Sequence, residues 1–270
     1  MINLNDVLGY DNLKIYQNPD FFSFSLDSII LANYTNVRKK DKRIIDFCTG
    51  NAIVPLILSK RCNRDIEGIE IIDSIYDLAL KSIDYNNLSD RIKIYNMDVK
   101  DFCNDLDNFN KYDLVLCNPP YFKNFLDSKK NINYEKMIAR HEILIDLDDI
   151  CYCAKNILKN NGNFSLIHRT DRLIEIISTL KKYNLEPKII KFIYDRVNGN
   201  SNLVLIQSQK NGKIGLKVDP PFILYNDDKT FTTEYKLLQE RVVKWFKIVT
   251  MIVQVFIWFQ HLLVILMILQ

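Results

Sequence analysis

One short stretch, Asp113-Leu-Val-Leu-Cys-Asn-Pro-Pro-Tyr121, limits the possible folds of this chain more than any other. Tyr112–Cys117 has the length and the aliphatic content of a buried strand. Proline has no N–H to donate to a strand ladder, so the strand must end at about Asn118. The sequence therefore predicts that residues 118–121 lie at the carboxyl end of a buried strand, where open α/β sheets bind their ligands.

The composition of residues 118–121 suggests a chemical role for this strand end. Pro119 and Pro120 restrict the backbone, so the Asn118 side chain and the Pro119 carbonyl are held with little freedom. Two fixed acceptors can hold both N–H groups of an exocyclic amino group, so that its nitrogen becomes more tetrahedral and its lone pair faces an electrophile. Tyr121 would stack on the planar group that carries this nitrogen. A proline-rich turn without catalytic function is the alternative.

A strand–turn–helix unit earlier in the chain is typical of nucleotide-binding folds. We expect a strand over Arg43–Phe47, a tight turn over residues 48–52 and a helix over Ile53–Arg61. Gly50 allows close approach of the backbone, and the helix N-terminus offers free N–H groups to an anionic part of a ligand. The further glycines of G-x-G-x-x-G are missing, which disfavours a dinucleotide.

Acidic residues follow the next two predicted strands. Glu70 lies at the end of a strand over residues 65–71, where a carboxylate can accept hydrogen bonds from two ribose hydroxyls. Asp98 follows a strand over residues 91–96 and can meet an adenine amino group or cap a helix. Together with Gly50 and Asn118, these acids predict a cofactor site at one edge of a parallel sheet built from βαβ units.

The segment that follows the proline motif, residues 122–141, is basic and contains aromatic residues, a combination that suits unpaired nucleic acid. A solvated loop is the alternative. The residues of this segment that we assign to RNA contacts are Phe122, Lys123, Lys129, Lys130, Arg140 and His141. Further along, we expect a helix over residues 147–159 that ends at Asn161-Gly162, a strand over 164–168, another helix, and a final strand pair over 188–194 and 202–209.

Residues 118–121 are similar to the Asn/Asp-Pro-Pro-Tyr/Phe signature of S-adenosylmethionine-dependent amino methyltransferases. Over about residues 3 to 230 the chain resembles the bacterial enzymes that methylate N(6) of the adenine 3′ of the anticodon in a valine tRNA. The motifs that carry this resemblance are Asp46-Phe-Cys-Thr-Gly-Asn-Ala-Ile-Val-Pro55, Asn118-Pro-Pro-Tyr-Phe-Lys123, Ala139-Arg-His-Glu142, His168-Arg-x-x-Arg172 and Pro220-Pro221. Ala52 departs from the pattern, because the family usually has glycine there, and this puts tight cofactor packing in question.

The resemblance implies an α/β fold, a Rossmann-like seven-stranded class I methyltransferase sheet, with S-adenosyl-L-methionine as cofactor, a tRNA substrate and no metal. It implies catalysis by Asn118, Pro119, Pro120 and Tyr121. The cofactor-binding residues that it implies are Asp46, Thr49, Gly50, Glu70, Asp98 and Asn118, and it adds Arg169 and Arg172 to the RNA contacts. The alternatives are an N5-glutamine methyltransferase of a translation factor, a DNA adenine methyltransferase, and a catalytically silent RNA-binding module.

The length of 270 residues, 48% of them hydrophobic, fits one main domain, which we place at 41–240 after an N-terminal cap segment at 1–40. The net charge of +3 is too small to indicate a polyanionic partner by itself. The six cysteines lack metal-binding spacing and are interpreted as buried thiols. With no signal peptide visible, we expect a cytoplasmic monomer.

The C-terminal segment, residues 241–270, is atypically hydrophobic. No charged residue occurs from 248 to 270, and Arg241, Lys244 and Lys247 precede this run. The run is long enough to cross a bilayer. A membrane anchor through residues 248–270, a packing or dimerising helix and a translated frameshift remain open.

Overall fold

A mostly parallel sheet organises the chain, which we describe from a computed structural model for residues 2–18, 26–120 and 145–239. The strands are β1 (Asn3–Val7), β2 (Tyr10–Gln17), β3 (Arg43–Phe47), β4 (Asp65–Glu70), β5 (Ile92–Asn96), β6 (Tyr112–Cys117), β7 (Leu158–Arg169), β8 (Leu185–Arg196), β9 (Ser201–Lys210), β10 (Lys217–Val218) and β11 (Phe222–Tyr225). The helices are α1 (Leu26–Tyr34), α2 (Ile53–Arg61), α3 (Asp73–Tyr85), α4 (Val99–Asn104), α5 (Leu147–Ile157) and α6 (Leu173–Lys182).

The order of the strands in the main sheet is β5-β4-β3-β6-β7-β9-β8-β10, and β11 also pairs with β8. Strands β3 to β9 are the seven that the sequence predicts, and their order confirms the predicted sheet. All pairs among β3 to β7 are parallel, whereas β9 runs antiparallel to both β7 and β8. The short strands β10 and β11 extend the predicted sheet beyond β8.

The parallel strands are buried on both faces, which explains their nearly continuous hydrophobic sequences. Ile44 and Leu114 pack into one apolar cluster with α1, α2 and α3, while Ile45 and Val115 pack into a second cluster with α4, α5 and α6. Alternate residues of a strand point to opposite faces, so neighbours in the sequence enter different clusters. Helices on both sides of the sheet follow from this arrangement.

One predicted boundary is wrong. Helix α5 ends at Ile157 and β7 begins at Leu158, so Asn161-Gly162 lies inside a strand and does not end the helix. Asn161 has a φ of 60°, and the register between β6 and β7 shifts in this region. An Asn-Gly pair supplies a left-handed residue, which suits a β-bulge as well as a helix end, and the sequence alone does not separate the two.

The N-terminal segment contains a hairpin that the sequence analysis missed, followed by helix α1. Strands β1 and β2 pair antiparallel, and Leu13 and Ile15 are fully buried in the same cluster as α1 and α2. The hairpin is also bound through polar contacts, because the N–H of Tyr16 donates to Ser82 Oγ at 2.9 Å and Asn51 Nδ2 donates to the Tyr16 carbonyl at 3.2 Å. The segment therefore lies against α3 and the turn before α2.

Two further expectations concern the cysteines and the tail. Cys103, Cys117, Cys151 and Cys153 are buried as predicted, whereas Cys48 and Cys62 are half-buried, so the prediction was wrong for two of the six. Within residues 2–18, 26–120 and 145–239, no helix is both long enough and apolar enough to cross a membrane. The tail at 241–270 lies outside the described residues.

Candidate functional site

The carboxyl ends of β3, β4 and β6 meet at one place on the sheet edge. Strand β3 lies between the other two, and Phe47 is opposite Ile69 of β4 and Cys117 of β6. Sheets of this type bind ligands in the crevice where the strand order reverses, which here is the position of β3. The residues that directly follow these strands are therefore brought together, as the sequence predicts.

The turn between β3 and α2 is held by hydrogen bonds to both neighbouring strand ends. Thr49 donates from its N–H to the Ile69 carbonyl at 2.9 Å and from Oγ1 to Asp46 Oδ2 at 2.7 Å. Gly50 has a φ of 60°, and a Cβ added there would have no atom within 4 Å. The turn is thus rigid and leaves open space above Gly50, which a ligand can fill.

Glu70 is buried at the end of β4 and supports the same turn. Its Oε2 accepts from the N–H of Gly50 at 2.9 Å, and its Oε1 accepts from the N–H of Ile72 at 2.9 Å. Burial raises the pKa of Glu70 to about 7, although these backbone hydrogen bonds oppose the shift. Each carboxylate oxygen can accept a further hydrogen bond, which leaves Glu70 able to bind a pair of hydroxyls.

Asp46 is a second buried acid at this site, with 1% of its surface exposed. Its Oδ2 accepts from Thr49, but Oδ1 is buried and has no hydrogen-bond partner among the described residues. Burial raises the pKa of Asp46 to about 8, the nearby charge of Glu70 adds to this shift, and the Thr49 hydroxyl opposes it. A buried polar atom without a partner costs stability, and this one lies beside Glu70 and the turn before α2, where it can accept a hydrogen bond.

A narrow pocket opens between the ends of β4 and β5. Its walls are mostly apolar, and two acids reach it; the lining residues are Cys48, Ile69, Glu70, Ile71, Met97, Asp98, Val99 and Ile145. Apolar walls with a few polar groups are typical of sites for small organic ligands such as nucleosides. Asp98 also caps α4, because its Oδ1 accepts from the N–H of Lys100 at 2.8 Å. The helix cap and the position in the pocket, which the sequence left as alternatives, occur together.

Asn118 lies directly after β6, where the proline motif predicts it. Its Nδ2 donates to Ser28 Oγ at 2.8 Å, while its Oδ1 is buried and has no partner among the described residues. Pro119 is buried next to it. Sequence reasoning did not assign Ser28 to the site, because a contact between residues 90 positions apart leaves no signal in local spacing. Asn118 thus presents one unpaired acceptor at the sheet edge.

The two arginines assigned to RNA lie at the carboxyl end of β7, on the same edge: Arg169 is its last residue and Arg172 follows it. Arg169 donates to Asp171 at 2.7 Å and Arg172 donates to Glu175 at 2.8 Å. Both side chains are therefore ion-paired, and a phosphate would have to compete with these acids. His168 is buried beside them; burial, together with the charge of Arg172, lowers its pKa to about 4, so this imidazole is neutral at physiological pH.

Several assigned residues lie outside the described residues, and their roles stay predictions. They are Tyr121, Phe122, Lys123, Lys129, Lys130, Arg140 and His141. In the part of the chain that the structure describes, no group of three or more His, Cys, Asp or Glu side chains could hold a metal ion.

Ala52, the departure noted in the sequence, adopts φ 69° and ψ 25° immediately before α2. This left-handed conformation is the one that favours glycine. Ala52 is fully buried in the apolar cluster that includes α2. The chain therefore forms the turn with an alanine at a conformational cost, and its methyl group packs in the core.

The order of the strands, together with the crevice at the carboxyl ends of β3, β4 and β6, defines the class I S-adenosylmethionine-dependent methyltransferase fold. Solved structures support this assignment at the level of the fold. A predicted O-methyltransferase from Agrobacterium tumefaciens matches with a TM-score of 0.62 and 19% identity, covering 79% of this chain and 94% of the other. Pyrococcus horikoshii TYW2, solved in complex with MeSAdo, matches with a TM-score of 0.54 and 17% identity, covering 78% and 72%.

Sequence comparison narrows the class further. The profile of a family described as RNA methyltransferase matches residues 18–169, more than half of the chain, and the chain belongs to this family. Three relatives carry the name tRNA1(Val) (adenine(37)-N6)-methyltransferase. They come from Phocaeicola vulgatus (24% identical; 75% of this chain, 83% of the relative), Actinobacillus pleuropneumoniae (28%; 78% and 86%) and Bacteroides fragilis (30%; 58% and 65%).

Proposed function

We propose that this protein transfers a methyl group from S-adenosyl-L-methionine to the exocyclic N(6) of adenine 37, directly 3′ of the anticodon, in a valine tRNA. The names of the relatives support this substrate. The observation that carries the chemistry is the buried, unpaired Oδ1 of Asn118 at the carboxyl end of β6. Among the described residues this acceptor has no donor, and it lies at the strand end where the proposed mechanism requires an amino group to be held.

The residues present fit the cofactor. Glu70 would accept from the two ribose hydroxyls, and the apolar pocket that contains Asp98 would take the adenine, with the Asp98 carboxylate near its amino group. The open space at Gly50 and the free N–H groups at the start of α2 suit the methionine carboxylate. When bound, the cofactor supplies the electrophilic methyl group.

In the proposed mechanism the protein mainly positions the adenine. Asn118 Oδ1 and the Pro119 carbonyl accept the two N–H groups, and Tyr121 stacks on the base. Held in this way, the nitrogen would present its lone pair to the methyl group that the bound cofactor supplies, with the cofactor's sulfur as the leaving group, and the surplus proton on nitrogen would pass to solvent. Positioning and exclusion of water account for this step without a separate general base.

The RNA would be held by the basic and aromatic residues that follow the motif and by the two arginines at the carboxyl end of β7. This set comprises Phe122, Lys123, Lys129, Lys130, Arg140, His141, Arg169 and Arg172. A target base must leave its stack before it can enter such a site. In an anticodon loop the free-energy cost of this step is low, because the bases are unpaired. We further propose a monomeric, cytoplasmic enzyme with its methyltransferase domain at 41–240.

The decisive experiment measures methyl transfer from labelled cofactor to three substrates: valine tRNA, DNA and a glutamine-containing translation factor. We expect N(6)-methyladenosine in the tRNA, and a tRNA with guanosine at position 37 serves as the matched control. Transfer to the DNA or to the glutamine amide would replace the proposed substrate. RNA binding without transfer to any of the three would indicate a catalytically silent module.

A further inference from the structure

We propose that Ser28 is a positioning residue that sets the orientation of the Asn118 amide for catalysis. This inference rests on the proposed function, because it explains how the assigned acceptor is kept in its accepting orientation. It gives the N-terminal segment a part in the reaction that a cap over the sheet would not have.

The argument begins with the symmetry of the amide group. The oxygen and the nitrogen of an asparagine amide have nearly the same shape, but one accepts hydrogen bonds and the other donates them. An amide rotated by 180° would present Nδ2 to the amino group of the adenine, and two donors would face each other. The proposed mechanism therefore requires a contact that discriminates between the two orientations.

Ser28 provides this contact. Its Oγ accepts from Asn118 Nδ2 at 2.8 Å, and this directs Oδ1 away from Ser28, into a buried position where no described residue satisfies it. Rotating the amide would leave Nδ2 buried without an acceptor. The Ser28 hydroxyl could pair with the amide in either orientation, because it both accepts and donates. Rotation would, however, put two N–H groups where one oxygen now lies, and buried N–H groups without a partner are rarer in proteins than under-satisfied oxygens, so the accepting orientation is the favoured one.

The serine is held by a rigid element. Ser28 lies on α1 and is 6% exposed, and its neighbours Ile29 and Ile30 are buried in the apolar core. The far end of α1 is fixed by a hydrogen bond from the Tyr10 hydroxyl to Asn33 Oδ1 at 2.9 Å. The hydroxyl is therefore fixed relative to the sheet that carries Asn118, as a positioning contact requires.

The test combines kinetics with a spectroscopic readout on the full chain. In Ser28→Ala we expect kcat for tRNA methylation to fall about tenfold, while KM for tRNA and the Kd for S-adenosylmethionine change less than about twofold. Ser28→Thr retains a hydroxyl and should restore most of the turnover. Ser59→Ala is the matched control, because it removes another buried helical hydroxyl, which donates to the Leu56 carbonyl at 2.7 Å, away from the motif.

A double-mutant cycle tests the orientation directly. Aspartate has two equivalent oxygens and no Nδ2, so in an Asn118→Asp background no amide needs to be oriented. Ser28→Ala should then cost much less than in the wild-type background, giving a clear coupling between the two sites. Equal losses in both backgrounds would show that Ser28 acts on general structure and would overturn the proposal.

The side-chain amide protons of Asn118, followed by ¹⁵N–¹H NMR without RNA, keep the inference separate from the proposed function. We expect these resonances to shift and exchange faster in Ser28→Ala, and unchanged resonances would refute the contact. If the wild-type protein methylates no tRNA, the proposed function fails whatever the NMR result. If the wild type is active and Ser28→Ala folds with normal turnover, only the positioning role fails.

Discussion

The two edges of the central sheet treat their side-chain acceptors differently. At the amino edge, Asp113 accepts from the N–H groups of Lys42 and Arg43, each at 3.0 Å, and from Lys159 Nζ at 2.8 Å. At the carboxyl edge, Asp46 Oδ1 and Asn118 Oδ1 are buried and have no partner among the described residues. Acceptors are thus saturated at one edge and left available at the other.

The protonation equilibria follow the same division. Burial alone would raise the pKa of Asp113, but Lys159 and the backbone N–H groups of Arg43 and Lys42 lower it below its usual value. Burial raises the pKa of Glu70 to about 7 and that of Asp46 to about 8. At the amino edge, Asp113 connects β6 to the start of β3 and to Lys159. At the carboxyl edge, Asp46 and Glu70 remain able to accept further hydrogen bonds, and their burial costs stability.

The largest expected effect comes from removing the unpaired acceptor at the carboxyl edge, Asn118 Oδ1. Asn118→Ala removes one of the two acceptors for the amino group, so we expect kcat for tRNA methylation to fall at least a hundredfold, about 2.7 kcal/mol of barrier. Asn118→Asp keeps an acceptor and should retain partial activity. Nucleoside mass spectrometry of tRNA treated with each variant measures the effect. Normal N(6)-methyladenosine formation by Asn118→Ala would remove Asn118 from the mechanism.

Asp113→Ala is the matched change at the opposite edge, and its effect should fall on stability. It leaves two backbone N–H groups and Lys159 without their acceptor, but these groups are exposed and can bond to water, so we expect a loss of about 0.5–1.5 kcal/mol in the free energy of unfolding. Turnover of the folded protein should be unchanged. Denaturant unfolding and methylation kinetics together test this, and a selective loss of kcat would show that the two edges are not separate in function.

Glu70 should have the next largest effect, on cofactor affinity. Glu70→Ala removes the acceptor for two ribose hydroxyls and also releases the N–H groups of Gly50 and Ile72, so we expect S-adenosylmethionine to bind at least tenfold more weakly, about 1.4 kcal/mol or more. Asp98→Ala loses one amino contact and should weaken binding less. Calorimetry compares the two variants. Equal affinity of Glu70→Ala and wild type would exclude Glu70 from the site.

The raised pKa values of Asp46 and Glu70 predict a distinctive pH dependence. Both groups take up protons on folding between their ordinary pKa values, near 4, and their folded values of about 8 and about 7. Their contribution to stability is present below pH 4 and is lost as the pH rises through 7 to 8. We expect the free energy of unfolding to fall by at least about 1 kcal/mol between pH 5 and pH 8.5.

The control for this pH dependence is an acid whose pKa is shifted the other way. Asp46→Asn should flatten the slope above pH 5. Asp148→Asn should leave that slope intact, because the Lys182 side chain and the Tyr183 hydroxyl lower the pKa of Asp148 and confine its titration to more acidic conditions. A slope that persists in Asp46→Asn and Glu70→Gln together would assign it to other groups.

The sequence predicted the parts of the fold whose limits are set by local chemistry. Strands β3 and β6 and helix α2 have the predicted bounds, because an apolar run ends at residues with special backbone properties, such as the prolines after Asn118. The β1–β2 hairpin was missed because its strands carry few apolar residues, and Leu13 and Ile15 become core residues only by packing with α1 and α2. The Ser28 contact was missed for a similar reason, because it joins α1 to a strand end 90 residues away.

The smallest expected effect concerns Ala52, where the chain departs from the glycine of the family it resembles. Ala52→Gly would relieve about 1–2 kcal/mol of left-handed backbone strain. It would also lose about 0.8 kcal/mol from a buried methyl group and about 0.4–1 kcal/mol from greater freedom of the unfolded chain. These terms nearly cancel, so we expect the free energy of unfolding to change by less than about 1 kcal/mol in thermal or denaturant unfolding. Because Glu70 and Thr49 hold the turn with either residue, S-adenosylmethionine affinity should change less than about threefold by calorimetry, and a tenfold gain would show that Ala52 distorts the cofactor site.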